Sequence, residues 1–166
     1  MFFKLATSFL FTLAASSAAH AIDIPNQGGL PTLLPAAVSC VLPSGSLISS
    51  TRATIWNNSD FLITVACPLP RHSPETAPFN VKVLVQDTNP TAGIGGTLKC
   101  RIFEAHLDGT STLGARSSIN GVSGHITAMS LEVPPPRPFS TYTVQCDLPR
   151  KHGQNLSELR AVYYEE

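Results

Sequence analysis

Alternation of apolar and polar residues, rather than a helical repeat, organises most of this chain. In FNVKVLVQD, Phe79, Val81, Val83 and Val85 fall on one side of an extended segment, and in GHITAMSLEV, Met129, Leu131 and Val133 do the same. Period two marks a strand with one buried face. Segments rich in Val, Ile, Thr and aromatics recur between turn residues at 37–42, 52–57, 61–67, 79–86, 96–104, 112–118, 125–133, 140–147 and 158–164. The plainest hairpin is ATIWNNSDFLITV, where Asn57 to Asp60 supply the turn. No window sustains a capped helical pattern over three turns. About nine short strands predict an all-β fold, an antiparallel β-sandwich of immunoglobulin-like or jelly-roll type, between which alternation does not distinguish.

Two octets, TVACPLPR at 64–71 and TVQCDLPR at 143–150, nearly repeat each other. By parity, Phe61, Ile63, Val65 and Cys67 share one face, as do Tyr142, Val144, Cys146 and Leu148. Val38, Cys40 and Leu42 repeat the arrangement, and so do Leu98, Cys100 and Ile102, so all four cysteines are expected to point inward. Cys40, Cys67 and Cys146 are each followed two residues later by Leu and then Pro. Proline lacks the N–H that a ladder needs, so this motif reads as a buried strand running out into a loop.

The start of the chain changes the picture. Lys4, an apolar run from Leu5 to Ala15 and the small residues ending at Ala21 follow the order of a secretory signal peptide, residues 1–21, cleaved after Ala21. The run is shorter than the roughly 20 residues of a membrane span, so no membrane insertion is expected after cleavage. A single Lys with an Ala-x-Ala site suits a bacterial product, secreted or periplasmic. Residues 22–36, with three prolines and a glycine pair, read as a flexible leader. Residues 37–166 then form a single domain, large enough for a core of its own.

Export carries the four cysteines into an oxidising compartment, where an even number points to disulfides. Three connectivities are open, and the favoured pairing is Cys40 with Cys67 and Cys100 with Cys146. Eleven basic residues balance eleven acidic ones, with no block of one sign. That distribution offers no footprint for nucleic acid.

Candidate chemistry is sparse. NGVSG at 120–124 misses the spacing of a nucleophile elbow, NPTAGIGGT at 89–97 lacks the ending of a phosphate loop, and His72, His106, His125 and His152 are dispersed. The proline cluster VPPPRPF at 133–139 reads as a stiff connection. Glu104 shares a strand face with Cys100 and Ile102, and a position at the strand's end, on the rim, is expected for it. No nucleophile, base and orienter assemble, so a non-enzyme without cofactors is expected. Asp87 and Asn89 are weak oxygen donors for calcium in a stretch that also reads as a turn, so no metal site is expected. Trp56, Tyr163 and Tyr164 are candidate ligand-binding aromatics, and since neighbours in a strand face opposite ways, at least one of the two tyrosines lies off the main core face.

The leader, the paired cysteines, CPLPR at 67–71, VQDTN at 85–89 and the terminal AVYYEE together resemble small exported bacterial β-rich proteins with two disulfides. The resemblance implies a fold and no activity, so no residue role is carried over. The function expected is a structural or interaction module with a protein or cell-envelope partner. The alternative is a carbohydrate-binding module using exposed aromatics, with a pilin-like assembly subunit third.

Overall fold

The computed structural model describes residues 32–41, 47–49, 53–71, 78–89, 96–120, 125–135 and 137–165. The expected signal peptide, the first part of the leader, His72, most of the glycine-bearing loop and most of NGVSG lie outside these residues. The elements are β1 (Thr32–Pro35), α1 (Ala36–Ser39), β2 (Leu47–Ser49), β3 (Thr54–Trp56), β4 (Ile63–Leu69), β5 (Phe79–Asp87), β6 (Thr97–Ala105), β7 (Ser111–Leu113), β8 (Ser117–Asn120), β9 (Ile126–Ser130), β10 (Thr141–Leu148) and β11 (Ser157–Glu165).

They form two antiparallel sheets. One runs β2-β3-β11-β5-β9, with β1 also on β11; the other runs β4-β10-β6-β7, with β8 also on β6. The pairing is that of one long hairpin rolled up: β3 with β11, β4 with β10, β5 with β9, and β6 with β7 and β8. Consecutive long strands therefore alternate between sheets. Of the two architectures left open by the sequence, this is the jelly roll.

The inward faces meet in one core. Val81, Val83, Val85, Leu159, Val162 and Tyr164 come from one sheet, and Ile63, Val65, Cys67, Leu98, Ile102, Val144 and Leu148 from the other. Each such aliphatic side chain contributes about 1.5–3 kcal/mol by leaving water. The cysteines pair as Cys40–Cys67 and Cys100–Cys146. Both bridges staple the β4-β10-β6 region: Cys100 and Cys146 face each other across β6 and β10, and Cys40 follows α1 where Val41 bridges Ala66 of β4.

Several local expectations change. Thr32–Pro35 belongs to the domain, because it pairs with β11 from Ala161 to Tyr164, so the domain begins before residue 37. The strand expected at 37–42 is instead one helical turn that carries the chain from one sheet to the other. Ala36 enters the core while Val38 is 78% exposed. Phe61 is exposed because it lies in the turn before β4, which starts only at Ile63. The segment 112–118 splits into β7 and β8 at Gly114, whose backbone passes so close to Glu132 that a Cβ would sit 2.4 Å from its carbonyl oxygen.

The hairpin expected in ATIWNNSDFLITV does not form: β3 pairs with β2 and β11 in one sheet and β4 with β10 in the other. Asn57 to Asp60 therefore turn the chain across from sheet to sheet, and that turn is anchored by Asn57. It is fully buried; its Nδ2 donates to the carbonyls of Phe61, Leu148 and Pro149 at 2.7, 3.0 and 3.0 Å, and its Oδ1 accepts from the Ser59 N–H. A residue of the β3–β4 crossover thus also holds the end of β10.

Candidate functional site: the outward face of the β11 sheet

β11 carries the sequence SELRAVYYE, in which Leu159 and Val162 are both buried although three residues apart. Strict alternation would expose one of them. The register shifts between Leu159 and Ala161 against β5, so Arg160 is an extra residue and parity resets behind it. Val162 and Tyr164 then face in, and Tyr163 faces out beside Lys82 of β5 and Leu33 of β1.

The outward face follows from the register. Trp56 stands opposite Glu158, Glu158 opposite Gln86, and Gln86 opposite Ile126, giving one row across four strands. Arg160 donates to the Gln86 amide oxygen and lies 3.0 Å from Glu158. Further along, the Lys82 ammonium sits 5.2 Å from the centre of the Tyr163 ring. Leu33, Asn80, Lys82, Tyr163 and Glu165 line a shallow groove of about 410 Å³. Asn80 adopts a positive φ of 48° at a second register shift and donates to Glu165 at 3.1 Å. Trp56 is half-buried, and its indole N–H is shielded from solvent without an acceptor.

Two of the three aromatic candidates are therefore brought to one face, and the third is not. Tyr164 is a core residue: its ring is buried and its hydroxyl donates to the Pro70 carbonyl at 2.5 Å, tying the end of β11 to the end of β4. Asp87 and Asn89 are likewise taken up by the fold. Asp87 accepts from the Asn89 N–H at 3.0 Å and the Ser157 hydroxyl at 2.8 Å, and Asn89 donates to the Arg150 carbonyl at 2.8 Å. Both are buried, where they join the loops after β5 and β10 to the start of β11. Among the described residues no three His, Cys, Asp or Glu side chains gather as metal ligands.

A second polar cluster closes the opposite end of the sandwich. Glu104 does not sit on the rim but is fully buried, since Tyr142 and Thr112 flank it across β10 and β7 on the inner face. Tyr142 donates to Glu104 at 3.0 Å. The His106 ring folds over the row, with Nδ1 2.9 Å from the Ser140 hydroxyl and 3.7 Å from Glu104, and Nε2 3.0 Å from the Thr112 hydroxyl. Burial, and then the neighbouring Glu104, push the Tyr142 phenol above its ordinary range. On the exposed turn beyond, hydrogen bonds from Thr110 hold the Asp108 carboxyl below its usual range. His106 and Ser140 are nearly closed to solvent, so the arrangement clasps β6, β7 and the turn before β10.

Sequence reasoning missed Glu158, Arg160, Gln86 and Lys82 as neighbours of the aromatics. The three-residue spacing of Leu159 and Val162 was the available signal, because it requires a bulge.

No protein-family pattern matches the chain, and no curated protein matches it by sequence. Among solved structures it is similar to a family two carbohydrate esterase from Cellvibrio japonicus, with a TM-score of 0.52 and 8% identity over 83% of this chain. The match covers 34% of that protein, so the chain spans about a third of its length, and the likeness is one of fold.

Proposed function

We propose that this protein is an exported, non-catalytic saccharide-binding β-sandwich whose recognition surface is the outward face of the β11 sheet. The observation that carries this reading is the placing of Trp56 and Tyr163 on one face, with Glu158 and Gln86 in the row beside Trp56 and Arg160 next along β11. Aromatic rings offer apolar faces to sugar C–H groups, and carboxylate, amide and guanidinium groups pair with hydroxyls. Jelly rolls are a recurrent scaffold of lectin domains. The similar structure, moreover, is named for an enzyme acting on carbohydrate.

Export rests on the leader sequence at 1–21. The two disulfides suit an oxidising compartment, and no described helix is long and apolar enough to cross a membrane. A pilin-like subunit fits less well, because β11 is already flanked on both sides by strands of its own chain. A protein-contact surface is the second reading, favoured by Leu107 and Phe139, which stand exposed on adjacent turns fastened by His106 and Ser140.

Affinity electrophoresis of the oxidised protein through gels containing soluble polysaccharides tests the proposal. Retardation that weakens in Trp56→Ala and Tyr163→Ala is expected. Unaltered mobility across neutral and acidic plant and cell-wall polysaccharides would move the protein-contact reading to the front.

A further inference from the structure

The site just proposed has a length and a charge balance, and both restrict the ligand; the inference rests on that reading. Trp56 lies opposite Glu158, whereas Tyr163 lies five residues further along β11, one of them the extra residue of the bulge. At the rise of a strand and the spacing between strands, the two rings are roughly 14 Å apart. That distance is several times the width of one sugar ring, so one monosaccharide cannot stack on both.

The lane between them is polar beside Trp56 and apolar across its middle, where Pro35, Ala161, Leu84 and Ala128 form a row. Glu158 and Arg160 come first, and Ala161, which the bulge leaves outward between Pro35 and Leu84, is largely covered by its neighbours and adds only a methyl group before Tyr163. The charges on this face cancel: Arg160 pairs with Glu158, Asn80 engages Glu165, and Lys82 leans on Tyr163. Two cations against two carboxylates leave no excess positive field for a uronate or sulfated polymer.

We propose that the ligand is an extended, uncharged oligosaccharide segment lying along β11, long enough to stack on Trp56 and Tyr163 at once, with Arg160 and Gln86 reading hydroxyls along its side. Calorimetry on the full oxidised chain tests this with neutral β-linked glucan, xylan and mannan oligomers, each from disaccharide to hexasaccharide, and with oligogalacturonate of matching lengths. Affinity for one neutral series is expected to rise at least about tenfold from disaccharide to hexasaccharide. Trp56→Ala and Tyr163→Ala should each remove that gain, lowering hexasaccharide affinity to about the level the native protein shows for disaccharide.

Should Trp56→Ala lower stability, Arg160→Ala offers a second variant, expected to weaken the hexasaccharide selectively. Equal affinity for both lengths, with dependence on a single aromatic, would overturn the extended site while leaving saccharide binding in place. Tighter binding of oligogalacturonate would overturn the neutrality. Binding of no sugar in the panel would remove the parent reading and this inference with it.

Discussion

Ala66 of β4 stands directly opposite Gln145 of β10, and around this pair the chain's two similar octets meet in antiparallel register. Val65 faces Cys146, Cys67 faces Val144, and Thr64 faces Asp147, to which its hydroxyl donates at 2.7 Å. The near-repeat is thus a local two-fold: the same letters, read in opposite directions, put a valine against each cysteine. The rolled hairpin makes these strands neighbours although some eighty residues separate them. Each octet then supplies one half of a disulfide, Cys67 to Cys40 and Cys146 to Cys100.

Those bridges span 27 and 46 residues of sequence. On the chain-entropy estimate they contribute about 3.5 and about 4 kcal/mol. Denatured, unreduced protein should show no free thiols, and reduction should lower the melting temperature markedly. Two or more free thiols in correctly exported protein would contradict the pairing.

Asn57 ties two loops through its amide N–H groups. Asn57→Ala leaves the Leu148 and Pro149 carbonyls without their buried donor and is expected to cost about 2–3 kcal/mol. Asn57→Asp should be no better, since a carboxylate cannot donate. Urea unfolding measures both; an Asp variant as stable as the native chain would show that these bonds do not matter.

Tyr142 supplies the alkaline limb of stability. Its phenol is pushed up from the ordinary value of 10.0, chiefly by burial and then by Glu104. A raised acid contributes stability that is fully present below its unfolded value and is lost as pH rises through the folded one. Stability should therefore fall above about pH 10. Tyr142→Phe, though less stable at neutral pH because Glu104 loses a donor, should flatten that decline. An unchanged slope between pH 9 and 11 would refute the assignment.

Two glycines separate steric closeness from backbone conformation. Gly114→Ala places a methyl group 2.4 Å from the Glu132 carbonyl oxygen and should cost about 1–3 kcal/mol. Gly109 has a positive φ of 81° with open space around it, so Gly109→Ala should cost about 1–2 kcal/mol through the backbone alone. A Gly114→Ala variant that unfolds at the same temperature as the native chain would contradict the close packing at Gly114.

The sandwich was legible because its long strands have one buried face each, as in β5, β6 and β10, and period two then fixes orientation. Parity failed where the chain leaves the ladder: at Val38 in a helical turn, at Phe61 in a turn, and beyond Arg160, where one inserted residue resets it. Tyr163 and Tyr164 show the consequence. Sequence alone requires them to face opposite ways, but only the bulge decides which faces out. Glu104 was misjudged for another reason, since its burial depends on Tyr142, Thr112 and His106 arriving from other elements, and no local pattern records that. The outward site is likewise a property of register across β3, β11 and β5.

Trp56 is the sole tryptophan of the chain, so intrinsic fluorescence reports the proposed surface without any label. Titrating the oxidised protein with neutral oligosaccharides, while following tryptophan emission, is the most direct test of saccharide recognition by this face. A saturable change in intensity or wavelength, with Tyr163→Ala weakening it, is the result the account predicts. Binding detected by calorimetry with no change in Trp56 emission would place the ligand elsewhere and contradict it.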